Sequence, residues 1–566
     1  MAERRRGTDV VVIGLGAAGG IAAMVLAEAG REVIGLEAGP RWELKDFPSD
    51  EIRNDVRNFM GNPKFNLEVP TSRTDRSQEA TPTIGGALMM NGVGGSSVHY
   101  TCQSWRFLPW SFRMKSATIE RYGRSALPEN SLVEDWPVSY DELEPYYHKV
   151  ERLLGVSGKA GNLKGKKDPA GNVLEGPRSR EYPLPPLRRS GYIDLATNAA
   201  KQAGWHPFPG PSAIHSEPYE GQPGCQYCGF CTQNGCHTNA KGSVNLNAIP
   251  RAEKSGNLKV ETGARVTEIA VDNDGRATGV TYLKDGKEHF QPASLVILSG
   301  FVYENTRLLL LSKSKAFPKG LSNNAGQVGK GFMSHGFIIG SGAFDGKRLN
   351  RFGGPGSQYM AFDDFEGDNF DHAGLDFIGG AGMSTGSEAK PIATARTVPP
   401  SLERRWGSQW KAWMAKNGNS IAAALAQMEV LPYEDNFIDL DPKVKDPAGL
   451  PVARITFDYK QQEKKRGAFL QKKLEQWLKE MGAAEAWSNP PLRLPVNQHV
   501  YGGTRMGDDR DQFVVDKHSL SHEVPNLAIL GTSTFLSTAG KNPTETLQAL
   551  AWMSSEHIAD EWNSIA

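Results

Sequence analysis

The sequence predicts an α/β fold in which a discontinuous, Rossmann-like dinucleotide-binding domain is joined to a second, sheet-containing substrate-binding domain. Three features of the chain predict it. Residues 9–37 follow a strand, glycine turn, helix, strand and acid pattern. Buried-strand patterns recur at 258–298 and at 526–530. Residues 335–490 are rich in Gly, Trp and Phe and lack the alternation of strand and helix.

The first element is a nucleotide-binding pattern. Asp9–Ile13 is a short apolar run typical of a strand buried in a parallel sheet, and the glycine turn GLGAAG follows it. Apolar spacing over Ile21–Ala29 predicts a helix, and Glu32–Leu36 predicts the next strand, which ends at Glu37. A glycine turn alone is weak evidence, but the acid at this position favours an adenine dinucleotide.

Each residue type in this pattern has a physical purpose. Gly14, Gly16 and Gly19 allow the backbone to approach a pyrophosphate at the N-terminus of a helix. Glu37 accepts hydrogen bonds from ribose hydroxyl groups.

Later segments predict further elements of the same domain. Turn signals separate short alternating strands into an antiparallel meander, and a buried strand then precedes a helix. The strands are predicted at Leu258–Val260, Arg265–Val271, Ser294–Leu298 and Asn526–Leu530, and the helices at Glu304–Leu311 and Pro543–Met553.

Composition excludes several classes of protein. The 566 residues contain 64 basic and 64 acidic side chains, so a general attraction to nucleic acid or to an anionic membrane is not expected. No run approaches the roughly 18 apolar residues of a membrane span. The N-terminal residues carry no secretory pattern of their own, which predicts a cytoplasmic protein unless a partner subunit carries it out of the cell.

Two further segments carry polar residues suited to a redox site. The glycine-rich stretch Gly85–Ser97 contains the apolar residues Leu88–Met90 and predicts a backbone packed closely against a flat cofactor, with His99 beside it. Near the C-terminus, His499 lies in the glycine-bounded segment 497–507, and Asn542 precedes a proline. Histidine accepts a proton near neutral pH, and an amide holds a substrate oxygen without titrating.

Together these segments resemble the glucose–methanol–choline oxidoreductases, a flavin family that oxidises alcohols. The matching pieces are VVIGLGAAGG with Glu37, GVGGSS, LVILSGFVYENTRLLLLS, NNAGQVGKGFMSH, HVYGGTRMG and GKNPTETLQAL. Within the family, the segments DWPVSYDELEPYYHKVERLLGVSG and GCQYCGFCTQNGCHTNAKGS resemble the flavoprotein subunits of gluconate and related sugar dehydrogenases.

The resemblance implies FAD and assigns roles to particular residues. His499 takes the hydroxyl proton while hydride moves to flavin N5, and Asn542 supports the developing alkoxide. The residues implied to contact the cofactor are Gly14, Gly16, Gly19, Glu37, Gly94, Gly95, Ser96, Ser97, His99, Val266, Gly531, Asn542, Pro543 and Thr544. The FAD-binding domain is then expected to comprise residues 1–45, 80–110, 225–334 and 491–566. The substrate-binding domain and lid segments are expected to comprise 46–79, 111–224 and 335–490.

The same resemblance implies a substrate class. It favours a primary or secondary alcohol of a sugar, sugar acid or glycoside, with a long-chain alcohol oxidase as the nearest alternative and a lyase of the family as a further one. The electron acceptor stays open between oxygen, a quinone and a cytochrome, and a small partner subunit is allowed. The run Val98–Cys102 resembles a pyranose oxidase segment in which the histidine is bonded to flavin, so covalent and noncovalent FAD both stay open.

Four of the five cysteines lie within one short segment. Cys225, Cys228, Cys231 and Cys236 have spacings similar to those of ferredoxin-type runs, without matching them. An iron–sulfur cluster is the first interpretation, because it would pass flavin electrons to an external acceptor. Structural zinc and unliganded thiols are the alternatives.

Overall fold

The computed structural model describes residues 2–57, 69–83, 90–354, 356, 358–490 and 499–566. The first part of the second glycine-rich stretch, through residue 89, lies outside the described residues, as do residues 497 and 498. The strands and helices of the described part are given next in chain order.

The strands are β1 (Glu3–Arg4), β2 (Thr8–Ile13), β3 (Val33–Glu37), β4 (Thr71–Arg73), β5 (Thr81–Pro82), β6 (Asn162–Leu163), β7 (Lys166–Lys167), β8 (Phe208–Pro209), β9 (Leu258–Thr262), β10 (Arg265–Val271), β11 (Ala277–Lys284), β12 (Lys287–Leu298), β13 (Met333–Ser334), β14 (Gly336–Ala343), β15 (Tyr359–Phe362), β16 (Ala381–Gly386), β17 (Ile421–Met428), β18 (Phe437–Lys445), β19 (Pro451–Thr456), β20 (Glu485–Ser488), β21 (Val500–Tyr501) and β22 (Leu527–Ile529).

The helices are α1 (Ala17–Glu28), α2 (Pro109–Phe112), α3 (Met114–Tyr122), α4 (Tyr140–Leu154), α5 (Gly191–Gln202), α6 (Ala248–Lys254), α7 (Val302–Leu311), α8 (Pro391–Arg396), α9 (Gly407–Asn417), α10 (Gln461–Glu480), α11 (Thr544–Asp560) and α12 (Trp562–Ile565).

The first sheet has a parallel core, with the order β10-β11-β12-β2-β3-β9. Strand β12 pairs antiparallel with β11 along its first half and parallel with β2 and β22 along its second half. Val10, Val11 and Val12 of β2 are fully buried, as expected of a strand covered on both faces. The sheet is covered on one face by α1, which packs against α6 and α11. The Rossmann-like part of the fold prediction is confirmed.

Helix α1 begins four residues earlier than predicted. It starts at Ala17 rather than Ile21, because the small residues after the turn fit a closely packed helix. A Cβ atom added to Gly20 would lie 2.9 Å from Val244, so the absence of a side chain lets the helix approach its neighbour.

The second sheet is antiparallel and has the order β20-β14-β17-β16-β15-β8. Helix α10 covers it and packs against β14 and β17. Strands β18, β19, β4 and β5 form a further four-stranded sheet. One apolar cluster is continuous from β2 to Leu470 and Trp477 of α10. The chain therefore has the second, sheet-containing part that was predicted, and the boundaries between the parts stay predictions. No helix in the described ranges has the length and apolar character needed to cross a membrane.

Candidate active site and cofactor cavity

A deep cavity lies along the carboxyl ends of the parallel strands. Ile13 at the end of β2, Glu37 at the end of β3 and Leu298 at the end of β12 all line it. It contains about 1440 Å³ of space, including its open mouth. Ligands of open α/β sheets bind at this edge.

Most residues predicted to bind the cofactor line this cavity. They are Gly14, Gly16, Glu37, Gly95, Ser96, Ser97, Val266, Gly531, Pro543 and Thr544, and the predicted base His499 lines it as well. Of the predicted residues that the structure describes, Gly19, Gly94, His99 and Asn542 are not part of the lining. Gly19 acts indirectly, because a Cβ atom there would lie 2.0 Å from the carbonyl oxygen of Gly14.

Two glycine segments meet at the cavity wall, and their geometry fits a pyrophosphate. Gly95 has φ of +53°, and a Cβ atom there would lie 2.9 Å from Cα of Gly16. Gly16 precedes the first residue of α1 and offers no capping side chain, so the first N–H groups of that helix are available to an anion. The backbone therefore provides a narrow anion cradle of the kind that FAD requires.

Glu37 joins three backbone segments at the ribose end of the cavity. Its Oε1 accepts hydrogen bonds from the N–H groups of Gly39 at 2.9 Å and Gly92 at 3.0 Å, and its Oε2 accepts one from Leu15 at 3.1 Å. Burial raises the pKa of this carboxyl group, and the three N–H groups oppose the rise. One lone pair of Oε2 is left for a ribose hydroxyl group.

His499 is brought to the far end of the cavity by a short strand pairing. It immediately precedes β21, which pairs antiparallel with β13, so that His335 after β13 lies beside His499. The two Nδ1 atoms are 3.2 Å apart, and the N–H group of His335 donates to the carbonyl oxygen of His499 at 3.1 Å. The ring of Phe337 packs edge-on against His499, with centroids 5.2 Å apart.

Asn542 faces His499 from the start of α11. Its Nδ2 is 3.3 Å from Nε2 of His499, and its Oδ1 accepts a hydrogen bond from Nε1 of Trp105 at 2.9 Å. The structure therefore brings together the two residues predicted to carry the chemistry.

Burial controls the charge of both histidines. It lowers the pKa of His335 to about 4. Burial, with the neighbouring His335, holds the pKa of His499 well below its ordinary value of 6.5. Both imidazoles are therefore neutral at pH 7, as a general base must be before it takes a proton.

His99 lies behind the cavity wall rather than on it. It is buried, and burial together with the charge of Lys241 lowers its pKa to about 4. Its neighbours Ser97 and Tyr100 line the cavity.

The cysteine segment does not form the predicted metal site. Within the described ranges, no group of three or more His, Cys, Asp or Glu side chains is arranged to hold a metal ion. Cys228 is exposed, whereas Cys231 is buried. Burial raises the pKa of the Cys225 thiol to about 11 and that of Cys231 well above its usual value, so both thiols are protonated in the metal-free chain at neutral pH. Neither an iron–sulfur cluster nor zinc fits this arrangement.

Lys241 holds the segment together instead. Its Nζ donates to the backbone oxygen atoms of Tyr100, Cys231 and Asn234 at 2.7, 3.1 and 2.9 Å. Glu388 accepts hydrogen bonds from the N–H groups of Cys231 and Thr232 at 3.2 and 3.1 Å. The charged side chains of Lys241 and Glu388 therefore hold the backbone of this segment by hydrogen bonds.

Sequence reasoning assigned no role to Trp105, His335 or Tyr501. His335 ends a segment that was used only to identify the family, and Trp105 is one of 12 tryptophans. Only three-dimensional contacts distinguish them: Trp105 with Asn542, His335 with His499, and Tyr501 with His335.

Comparison with known proteins identifies the family of the chain. The N- and C-terminal models of the family GMC oxidoreductase match residues 130–336 and 432–551. A "Gluconate 2-dehydrogenase flavoprotein" from Pantoea cypripedii is 34% identical over 99% of this chain and 95% of its own length. A "Fructose dehydrogenase large subunit" from Gluconobacter japonicus is 27% identical over 99% of each chain.

Solved structures show the same fold. A formate oxidase from Aspergillus oryzae aligns with a TM-score of 0.64 over 100% of this chain and 99% of its own, at 15% identity. A pyridoxine 4-oxidase from Mesorbium loti aligns with a TM-score of 0.60 over 97% and 99%, also at 15% identity. With both family models matched and a relative similar along the whole length, the chain belongs to the GMC oxidoreductases, FAD-dependent enzymes that act on CH–OH donors.

Proposed function

We propose that this enzyme oxidises a primary or secondary alcohol group of a sugar, sugar acid or glycoside. The observation that carries the chemistry is the 3.3 Å approach of His499 Nε2 and Asn542 Nδ2 at one end of the cofactor cavity. The substrate class is supported by the names of the relatives, which act on gluconate and fructose. A "Paromamine 6'-oxidase" from Streptomyces fradiae, 27% identical, adds a glycoside to that group.

The cavity residues would hold FAD at three places. Gly14, Gly16 and the start of α1 would bind the pyrophosphate, and Oε2 of Glu37 would accept from the adenosine ribose. Gly95, Ser96 and Ser97 would lie along the flavin, and Val266, Gly531, Pro543 and Thr544 would complete the wall.

The bound flavin would supply the hydride acceptor. Neutral His499 would accept the hydroxyl proton of the substrate at Nε2, which breaks the O–H bond and forms an N–H bond. The Nδ2 group of Asn542 would donate to the substrate oxygen as negative charge develops on it. A preorganised donor of this kind is worth about 10²–10³ in rate.

We propose that FAD is held without a covalent bond. His99, the residue suggested by the pyranose oxidase resemblance, is not among the described residues of the cavity lining. Acid precipitation tests this: yellow colour in the supernatant is expected, and colour that stays with the pellet would contradict it.

We propose that a partner protein receives the electrons. The relatives are named as a flavoprotein and a large subunit, which supports a second subunit. The proposal contains no iron–sulfur step, because the cysteine segment does not fit a cluster. The rates at which a quinone, a cytochrome and oxygen reoxidise the reduced enzyme can be compared directly. If oxygen reoxidises it at least as fast as the quinone and the cytochrome do, no partner protein is required as electron acceptor.

An anaerobic substrate panel tests the reaction itself. Gluconate, fructose, a glycoside and a long-chain alcohol are mixed with the oxidised enzyme, and the flavin band is followed. Bleaching by the sugar compounds is expected. Bleaching by the long-chain alcohol alone would indicate a long-chain alcohol oxidase. Formation of product without bleaching would indicate a lyase.

A further inference from the structure

We infer that Trp105 and His335 fix the direction of a hydrogen-bond chain through Asn542 and His499, and so hold Nε2 of His499 as the proton acceptor. The chain runs from Trp105 through Asn542, His499 and His335 to the carbonyl group of Ala539. The direction of these hydrogen bonds follows from geometry. The importance of that direction for catalysis rests on the proposed function.

The first end of the chain is an indole group, which can only donate a hydrogen bond. Nε1 of Trp105 is 2.9 Å from the side chain of Asn542, so the atom that it contacts must be the amide oxygen. The NH₂ group of Asn542 is then turned towards Nε2 of His499, at 3.3 Å. An NH₂ group donates, so this nitrogen of His499 carries a lone pair and no proton.

The other end of the chain is a backbone carbonyl group, which can only accept. Nε2 of His335 is 2.8 Å from the oxygen of Ala539 and therefore carries a proton. Because burial lowers the pKa of His335 to about 4, the ring is neutral and its Nδ1 is an acceptor. That atom lies 3.2 Å from Nδ1 of His499, which must then donate. Both ends thus give His499 the same tautomer.

The hydroxyl group of Tyr501 does not alter this result. It lies 3.2 Å from Nδ1 and 3.4 Å from Nε2 of His335. A hydroxyl group both donates and accepts, so it is compatible with the direction that the two ends impose.

Both positioning residues are held rigidly. The ring of Trp105 packs edge-on against Tyr359, with centroids 5.3 Å apart, and the ammonium group of Lys541 lies 4.1 Å from its centre. His335 is fixed by the β13–β21 pairing and by the hydroxyl group of Tyr459, which donates to its carbonyl oxygen at 3.1 Å. Neither group can turn away without breaking other contacts.

The chain also prepares His499 for the charge that it acquires. When Nε2 takes the substrate proton, Nδ1–H goes on donating to neutral His335, so the buried imidazolium keeps a hydrogen-bond acceptor. Loss of that acceptor would allow the opposite tautomer, in which Nε2 carries a proton and cannot act as a base.

The direct test is the tautomer of His499 in the FAD-loaded protein. The holoenzyme is labelled with [¹⁵N]histidine, and the His499 signals are assigned by their loss in His499→Asn. We expect a bare Nε2 and a protonated Nδ1 near neutral pH, and a mixture of tautomers in His335→Phe. His335→Asn places an amide oxygen near the position of Nδ1 and should restore the single tautomer. A protonated Nε2 in the unmodified protein would overturn the inference.

The second test is the rate of flavin reduction. His335→Phe should slow it by about 10- to 100-fold and His335→Asn should recover most of the loss, because a general base in the wrong tautomer cannot accept the proton. Trp105→Phe should also slow it, because the Asn542 amide is then free to turn over.

The matched control is His372→Phe. His372 is likewise buried and makes a 2.7 Å hydrogen bond to a carbonyl oxygen, that of Gly379, but it does not line the cavity. It should change neither readout. An unchanged rate and a single tautomer in His335→Phe would overturn the positioning role. The tautomer is measured without substrate, so that result holds even if no alcohol reduces the flavin. Failure of every alcohol to reduce the flavin would count against the proposed function instead.

Discussion

Nδ2 of Asn542 lies 3.3 Å from Nε2 of His499, although 43 positions separate the two residues in sequence. The approach is produced by two elements from different parts of the fold. Strand β21 begins directly after His499, and helix α11 begins two residues after Asn542. The ends of two ordered elements thus hold the imidazole of His499 and the amide of Asn542 at a fixed separation.

Asn542→Asp should disable the reaction without unfolding the protein. The side chains are nearly the same size, but the variant loses the N–H donor and places negative charge where an alkoxide develops. We expect flavin reduction to slow by about 10²–10³, with FAD content and melting temperature close to those of the unmodified enzyme. Asn323→Asp, a buried turn position away from the cavity, is the control. Reduction of Asn542→Asp at the normal rate would remove the amide from the mechanism.

The pH dependence of flavin reduction should show an acid limb below the ordinary range of histidine. Burial and His335 lower the pKa of His499 below 6.5, so more acid is needed to protonate the base. The rate should therefore stay level as pH falls from about 8 to 6.5 and decline only beyond that. Stopped-flow measurements across this range check it. An acid limb centred above pH 6.5 would contradict the environment described for His499.

Gly16→Ala should weaken FAD binding while leaving the folding of the chain intact. A Cβ atom at this position would meet no described protein atom closer than Cα of Gly95, at 4.0 Å, so the chain should fold. The methyl group would occupy the wall of the pyrophosphate cradle, and FAD affinity should fall by roughly tenfold or more. Flavin-to-protein ratio and melting temperature are the two measurements. Gly191→Ala, where an added Cβ meets nothing within 4 Å, should retain full FAD.

Metal analysis should find FAD without stoichiometric iron, sulfide or zinc. The physical reason is that no three metal-ligating side chains come together in the described ranges, while Lys241 binds the backbone of the cysteine segment. Anaerobically purified protein is the sample to use, and a chelator should leave the melting temperature unchanged. Recovery of about three or four irons with acid-labile sulfide would show that the cysteines converge on a cluster after all.

The elements that sequence predicted best are those with local causes. The strand at residues 8–13, the glycine turn and Glu37 depend on burial and on backbone freedom within about 30 residues, and all lie where the pattern placed them. The start of α1 was misplaced, because helix-favouring apolar spacing begins only after the small residues that in fact form its first turn.

The site residues that could not be predicted from the sequence are defined by contacts between distant segments. Trp105 reaches Asn542 across 437 positions, and no local pattern distinguishes it from a core tryptophan. For the cysteine segment, the described residues give no support to the predicted metal. Residues close in sequence need not present their side chains to one point, and burial differs along this segment, with Cys228 exposed and Cys231 buried. His499 and Asn542 were singled out by their local segments and chemistry, and the family resemblance assigned their roles.

The central claim is that His499 is the base for alcohol oxidation by FAD, and anaerobic stopped-flow mixing with a sugar acid tests it most directly. The account predicts bleaching of the flavin band, with one oxidised product per FAD, in the unmodified enzyme. It also predicts that His499→Ala keeps yellow FAD and bleaches slower by several orders of magnitude. Bleaching of His499→Ala at the rate of the unmodified enzyme would contradict it.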